Sequence, residues 1–272
     1  MGNVLENMAS AYSTVVVTGG SSGIGQAFIR QLHSLNGTLR VCNLSRRKPD
    51  VNIDGLDLRH HPCDLADREA LDVVVERLLA DLAPGPVLLI NNSGFGSCGP
   101  FPEPGLDRHL AMIDVNVRAP VALTGLLLPR LRESGGAVVN IASTAAFQPT
   151  PYLATYGAGK AFLLNWSLAL ERELAGIGVH VLAVCPGPTA TGFFRAAGFE
   201  SRVVSPLFSQ SAEAVVTTSL KALAKRRALC VSGWKNRLVV AAGSVPPRTW
   251  VARVSEWVLR RVRLDPSRRD GK

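Results

Sequence analysis

The stretch TVVVTGGSSGIG, residues 14–25, narrows the possible folds more than any other. Five consecutive β-branched residues favour a buried strand. A glycine-rich turn follows at once. A helical pattern then runs through Ile29, Leu32 and Leu35 to the stop at Asn36-Gly37. A strand, a tight turn and a long helix carry the chain back to where it began, so the next strand lies parallel to the first. The rest of the chain repeats the pattern. Strands are expected at residues 39–44, 58–62, 87–90, 137–142 and 179–184. Helices are expected at 67–82, at 106–116 and onward to 131, around Tyr156 to about 174, and at 213–224. Short apolar strands alternating with long helices imply an α/β fold, a doubly wound parallel sheet with helices on both faces. Its crossovers should be right-handed. With 272 residues, the chain fits one large domain or two small ones. The expected division is a core at residues 12–200 and, in the same domain, a substrate-loop and basic helical extension at 201–272.

The glycine turn has a physical use. Glycines permit a tight turn and close backbone approach, and the helix that follows offers unpaired N–H groups to a pyrophosphate. The spacing here is Thr18-Gly19-x-x-x-Gly23-x-Gly25. It sits between a strand and a helix, the setting that a dinucleotide site requires. At the end of the second strand an acidic residue would bind a ribose hydroxyl, whereas an arginine suits a 2′-phosphate. The chain has Ser45-Arg46-Arg47 there. Arg46 can pair with a phosphate through two parallel hydrogen bonds, which favours NADP(H) over NAD(H).

A second stretch, VVNIASTAAFQPTPYLATYGAGK at residues 138–160, carries Ser143 and ends in Tyr156-x-x-x-Lys160. Residues i and i+4 share one face of a helix, so the phenol and the ammonium can lie side by side. A free phenol has a pKa near 10. A cation about 4–6 Å away favours the phenolate and lowers that value. Ser143, at a strand end, can hold a carbonyl oxygen while a proton moves. Taken alone, the Tyr/Lys pair is more often a solvated helix face.

Several motifs stand together in one order: Thr18-Gly19-x-x-x-Gly23-x-Gly25, Asn91-Asn92-Ser93-Gly94, Asn116, Ser143, Tyr156-x-x-x-Lys160 and Pro186-Gly187. In this the chain resembles the short-chain dehydrogenase/reductase family over roughly residues 12–195. The stretches PGPTATGF and VSGWKNRL resemble the DltE-like and hydroxysteroid-type branch. Ser93 stands where the family motif has alanine. The resemblance implies a Rossmann-type fold, no metal, and a hydride exchanged between NADP(H) and a ketone or secondary alcohol. It implies that Tyr156 is the proton donor in reduction and the base in oxidation. Lys160 would lower its pKa and bind the nicotinamide ribose, Ser143 would polarise the carbonyl, and Asn116 would keep a water in a proton relay. The cofactor would lie against Gly19, Ser21, Ser22, Gly23, Ile24 and Gly25. Arg46, Asp64 and the Asn91 main chain would hold the adenosine half, and Gly94 would also lie against the cofactor. Pro186, Gly187 and Thr189 would follow the nicotinamide and pyrophosphate. A dimer or tetramer is the implied assembly. The alternative is a non-catalytic NADP(H)-binding sensor or scaffold, against which the presence of both Tyr156 and Lys160 counts.

Other features bound the reading. Cys42, Cys63, Cys98, Cys185 and Cys230 are far apart with no C-x-x-C pair, which suits a reducing, cytoplasmic setting rather than a disulfide or zinc framework. His60-His61 has no further ligand at metal spacing and reads as structural. Cys185 reads as an inert buried thiol. The first residues show no signal peptide or myristoylation pattern, and no apolar run reaches the length of a membrane span. The net charge of +9 is uneven: residues 221–272 hold 14 Lys and Arg against 3 Asp and Glu. The main body is therefore no nucleic-acid surface. Phe95, Phe101, Phe147, Phe193 and Phe194 fall after strands, where α/β folds bind ligands, and point to an apolar substrate that is lipid-like, 3-oxoacyl or steroid-like. Trp250, Val251, Val254, Trp257 and Val258 form one helical stripe, with Arg253, Arg260 and Arg261 largely off it. Two uses are open for the stripe: packing on protein, or peripheral contact with an acidic membrane surface.

Overall fold

The computed structural model describes residues 2–198 and 209–261. In chain order these form α1 (Gly2–Ser10), β1 (Thr14–Thr18), α2 (Gly23–Leu35), β2 (Arg40–Ser45), β3 (Leu58–Pro62), α3 (Arg68–Asp81) and β4 (Val87–Asn91). Then come α4 (Leu106–Ile113), a π-helical turn (Asp114–Arg118), α5 (Ala119–Ser134), β5 (Ala137–Ile141), α6 (Ala154–Leu174) and β6 (His180–Cys185). The chain continues through α7 (Phe193–Ala196), α8 (Ala212–Ala224), β7 (Leu229–Val231), α9 (Trp234–Ser244) and α10 (Arg248–Arg261). The boundary expected between residues 200 and 201 lies outside the described residues.

The strands make one seven-stranded sheet in the order β3-β2-β1-β4-β5-β6-β7, parallel throughout. Alternate residues of each strand face opposite layers. Val15, Val17, Leu88 and Ile90 pack with Phe28, Ile29 and Leu32 of α2 and Val216 and Leu220 of α8. Val16, Leu89, Val138 and Val181 pack on the other face with Leu71 and Leu78 of α3 and Leu123, Leu127 and Leu131 of α5. Strands buried on both faces explain the unbroken apolar runs in the sequence. The strand order reverses between β1 and β4, which opens a crevice at the carboxyl ends of the strands.

The stretch Leu106–Ser134 is continuous enough in helical structure, and apolar enough, to cross a membrane by length and composition. Sequence reading had no span here. The apolar character has a different use: Met112, Leu123, Leu127 and Leu131 are fully buried in the core. Four helices and strands were not anticipated from the sequence: α1, the four-residue α7, the three-residue β7 and α9, all of them short or weakly patterned.

Candidate active site

The glycine turn is tied down from below. Asn43, buried in β2, accepts the Gly20 N–H through Oδ1 at 2.8 Å and donates through Nδ2 to Ser45 Oγ at 2.9 Å. Thr18 Oγ1 accepts the Asn92 and Ser93 N–H groups, both at 2.9 Å, and Asn92 Nδ2 donates to Thr18 O at 2.9 Å. The ends of β1, β2 and β4 are thereby clamped together. Gly19 has φ +68°, and a Cβ there would meet Ser93 Oγ at 2.7 Å. A Cβ on Gly25 would meet Gly19 O at 2.4 Å, so the helix start can lie against the turn only as glycine. Ser22 stands at the N-cap of α2 without a capping hydrogen bond from its side chain. The first N–H groups of α2 are therefore left for an anion. This cradle, which side chains would fill, fits the pyrophosphate of a dinucleotide at Gly19, Ser21, Ser22, Gly23, Ile24 and Gly25.

Arg46 follows β2 and is exposed, with Nη1 3.7 Å from Asp64 Oδ2 after β3. Asp64 Oδ1 also accepts the Ala66 N–H at 3.0 Å. Asn91 has a structural duty. Its Nδ2 donates to Asn140 Oδ1 at 2.8 Å, and Asn140 donates on to Ser167 Oγ at 2.8 Å, a buried chain linking β4, β5 and α6.

At the other end of the crevice Ser143 lies two residues past β5 and caps the short 3-10 turn Thr144–Phe147. Its Oγ accepts the Ala145 N–H at 3.1 Å. That contact occupies a lone pair and leaves the hydroxyl hydrogen to turn towards the Tyr156 oxygen, whose pKa the Ser143 hydroxyl lowers. Lys160 lies one turn along α6, 4% exposed, and its Nζ donates to Ile141 O at 2.7 Å. Nζ is 5.9 Å from the centroid of the Tyr156 ring. Asn116 sits on the π turn, a distortion frequent at functional sites. Its amide is spent on the Phe95 backbone: Oδ1 accepts from Phe95 N at 3.1 Å and Nδ2 donates to Phe95 O at 2.9 Å. A Cβ on Gly94 would lie 2.9 Å from Asn116 Oδ1 and 3.2 Å from Lys160 Nζ, so glycine lets these three meet.

The electrostatics differ from the sequence expectation. Tyr156 as a whole is partly exposed, but its hydroxyl end is enclosed. Burial pushes the phenol up to about 12, and the Ser143 hydrogen bond opposes that only in part. Burial also brings the Lys160 ammonium down to about 8. Burial disfavours the charged form of both groups, so it raises the phenol and lowers the ammonium. Cys185 is fully buried and its thiol is pushed up to about 12, so it remains protonated.

The loop after β6 is laced in place. Thr189 Oγ1 donates to Gly187 O at 3.0 Å, and Ala190 N donates to Gln210 O at 2.8 Å. A Cβ on Gly187 would meet Asn236 Nδ2 at 2.3 Å. Asn236 of α9 is itself fixed by donation to Ser232 O at 2.8 Å. Pro186 O accepts the Thr144 N–H at 2.9 Å, joining this loop to Ser143's turn. The Phe193 ring lies 5.3 Å from the Tyr156 ring, and Phe194 lies edge-on to Phe193 at 5.5 Å. The other aromatics divide: Phe95 and Phe147 pack on the core, while Phe101 is exposed beside His109. His60 contacts Asn43 and His61 contacts Asp81, each a structural position.

Asn43, Arg108, Gln210 and Asn236 were not singled out in the sequence, and Thr18 and Asn92 stood there only as motif members without a role of their own. Arg108 donates to Gly96 O at 3.2 Å and to Ala196 O at 2.8 Å, bridging two loops of the site. Their only signal is a polar side chain inside or beside an apolar run, as with Asn43 in RVCNLS.

A seven-stranded parallel sheet with a Ser–Tyr–Lys set beside its switch-point crevice describes an α/β oxidoreductase. Residues 13–200 match the family described as short chain dehydrogenase. The chain belongs to that family, whose members act on alcohol and keto groups. It is 30% identical over 266 residues to the ketoacyl reductase HetN of Nostoc sp., covering 90% of this chain and 88% of that protein. It superposes on a short-chain dehydrogenase from Sphingobium yanoikuyae, solved with NADPH, with a TM-score of 0.73 and 29% identity, over 85% of this chain and 92% of that one. A bulky-bulky ketone specific alcohol dehydrogenase from Comamonas testosteroni gives a TM-score of 0.69 and 26% identity, over 85% of this chain and 92% of that one.

Proposed function

We propose that the protein is an NADP(H)-dependent carbonyl reductase acting on an apolar ketone, or in reverse on the secondary alcohol. The observation that carries this is Tyr156 itself. Its ring lies 5.9 Å from the buried Lys160 ammonium and against Phe193, and the Ser143 hydroxyl acts on its phenol, lowering the pKa. Bound NADP(H) supplies or accepts the hydride. Tyr156 donates its proton to the ketone oxygen, and Ser143 holds that oxygen by a second hydrogen bond. In oxidation Tyr156 takes the alcohol proton. Lys160 sits beneath, its ammonium fixed by Ile141 O, and offers positive charge and a ribose contact. The Asn116 amide is occupied by Phe95, so its part in any water relay falls to the main chain. A phenol held up at about 12 keeps its proton at neutral pH, as a proton donor to a ketone oxygen must.

Arg46, with no carboxylate at its own position, supports NADP(H), as does the NADPH bound in the Sphingobium relative. In this reading the adenosine half lies along Arg46, Asp64 and the Asn91 main chain, and Gly94, Pro186, Gly187 and Thr189 border the nicotinamide half. Phe193, Phe194 and Leu153, gathered around Ala197, support an apolar substrate. The names of the HetN and Comamonas relatives agree with a ketone of some bulk. Homo-oligomer formation is supported by exposed Leu106, Leu110, Ile113, Val121, Leu126 and Phe162 on α4, α5 and α6. The test is consumption of NADPH, against NADH, with a panel of bulky apolar ketones and short polar ones, with the product identified. Turnover of the apolar members with NADPH is expected. Preference for the polar members, or for NADH, would sink the corresponding part.

A further inference from the structure

The stripe read from the sequence on α10 faces outward except at Val251, which is buried. Trp250 is 65% exposed, Val254 60%, Trp257 54% and Val258 43%, at positions i, i+4, i+7 and i+8 of one helix. The helix holds to the protein by a different edge. Val251 is 9% exposed, Leu259 packs in the cluster around Ala197, and Arg260 Nε donates to Tyr152 Oη at 2.9 Å. The preceding helix repeats the design: Trp234, Leu238 and Val245 of the α9 segment are 67%, 62% and 85% exposed, at i, i+4 and i+11. A soluble surface rarely shows so much contiguous apolar area without a use for it.

We propose that α10 lays this outer face on an anionic lipid surface. Tryptophan combines an apolar body with a polar N–H and suits the headgroup level of a bilayer. A helix of low net hydrophobicity, with tryptophans and valines on one face and arginines elsewhere, is the pattern of interfacial helices. Charge selects the partner. Residues 221–272 carry 14 Lys and Arg against 3 Asp and Glu, and the α10 sequence has Arg248, Arg253, Arg260 and Arg261 against one acidic residue, Glu256. A basic segment of this kind is drawn to acidic lipid. A second copy of the chain fits less well, because a two-fold interface would set the same positive segment against itself. On its inner edge α10 sets Leu259 against Ala197, on which Phe193 and Phe194 also pack, and Phe193 in turn lies on Tyr156.

The full-length chain should be sedimented with vesicles of phosphatidylcholine containing about 30% phosphatidylserine, and with phosphatidylcholine alone, at about 50 mM and about 500 mM salt. Binding to the anionic vesicles at low salt is expected, weakened about fivefold or more by high salt and by omitting phosphatidylserine. The double variant Trp250→Ser/Val254→Ser should lose about fivefold or more of that binding, and Arg253→Glu should lose it with the apolar face intact. Both change exposed residues, and thermal unfolding should match the parent. No sedimentation with anionic vesicles, equal binding to neutral ones, or unchanged binding by both variants would overturn the proposal. So would a change of oligomeric state in Trp250→Ser/Val254→Ser, which would assign the face to a second copy. The measurement reads binding alone and stands apart from the reductase reading.

Discussion

Tyr156 is held between opposing influences. Enclosure raises its pKa to about 12, and the Ser143 hydroxyl pulls it back. Lys160 is the other half of the balance. Its folded value, about 8, lies below the usual 10.5, so the folded state binds fewer protons than the unfolded chain between those pH values. Burying this cation therefore costs stability at neutral pH, and the cost fades as pH rises through 8 towards 10. Lys160→Met removes the cost. The variant should be more stable than the parent at pH 7 by about 1–3 kcal/mol, and this advantage should shrink by pH 10. Urea unfolding of both proteins at the two pH values checks it, and an advantage that grows with pH contradicts it. Arg46 gives a second residue-scale prediction. Arg46→Glu places a carboxylate beside Asp64 where a 2′-phosphate is proposed to sit. The KM for NADPH should rise about tenfold or more, equivalent to about 1.4 kcal/mol, with a smaller change for NADH. Equal effects on the two cofactors would remove the phosphate contact from Arg46.

At the scale of elements, α10 is bound to the site through Leu259. Leu259→Ala should raise the KM of an apolar ketone about threefold or more through lost apolar contact, with kcat little changed. Steady-state kinetics decides this, and an effect on kcat alone would place Leu259 elsewhere in the cycle. Much of this layer was legible from the chain. Strands such as TVVVT and VLLIN are buried on both faces, so they show as unbroken apolar runs with glycine or asparagine after them. The Ser–Tyr–Lys set was legible because Tyr156 and Lys160 share a helix face at i and i+4 and further motifs stand in order around them, whereas the pair's spacing alone would read as a solvated face. The rest was not, for physical reasons. β7 has three residues and gains its place only from pairing with β6. The π turn around Asn116 leaves no mark in a helical apolar pattern. The α10 stripe gave packing and exposure equal standing, since periodicity tells which residues share a face and not what that face meets. The rise of the Tyr156 pKa depends on enclosure by distant segments, which no local spacing records.

For the whole molecule, one sheet supplies two distinct ends of a site. The turn after β1 and the arginine after β2 lie on one side of the switch point, and Ser143 and Tyr156 lie beyond β4 on the other. Three strand spacings of about 4.8 Å separate β2 from β5, a span suited to an extended dinucleotide. The two outer surfaces have separate uses in this reading: the α4–α5–α6 face for a second copy, and α10 for lipid. Phe162, 42% exposed and stacked on Trp166, lies on the first. Phe162→Glu should shift sedimentation velocity towards a smaller species, whereas an unchanged profile would move the interface elsewhere. The central claim is that Tyr156 transfers the proton in an NADPH-dependent ketone reduction. Its most direct test is NADPH consumption by the parent and by Tyr156→Phe with the best apolar ketone, alongside a fluorescence titration of NADPH. The predicted result is a fall in kcat of about a hundredfold or more with NADPH affinity kept. Turnover by Tyr156→Phe at the parent's rate would contradict it.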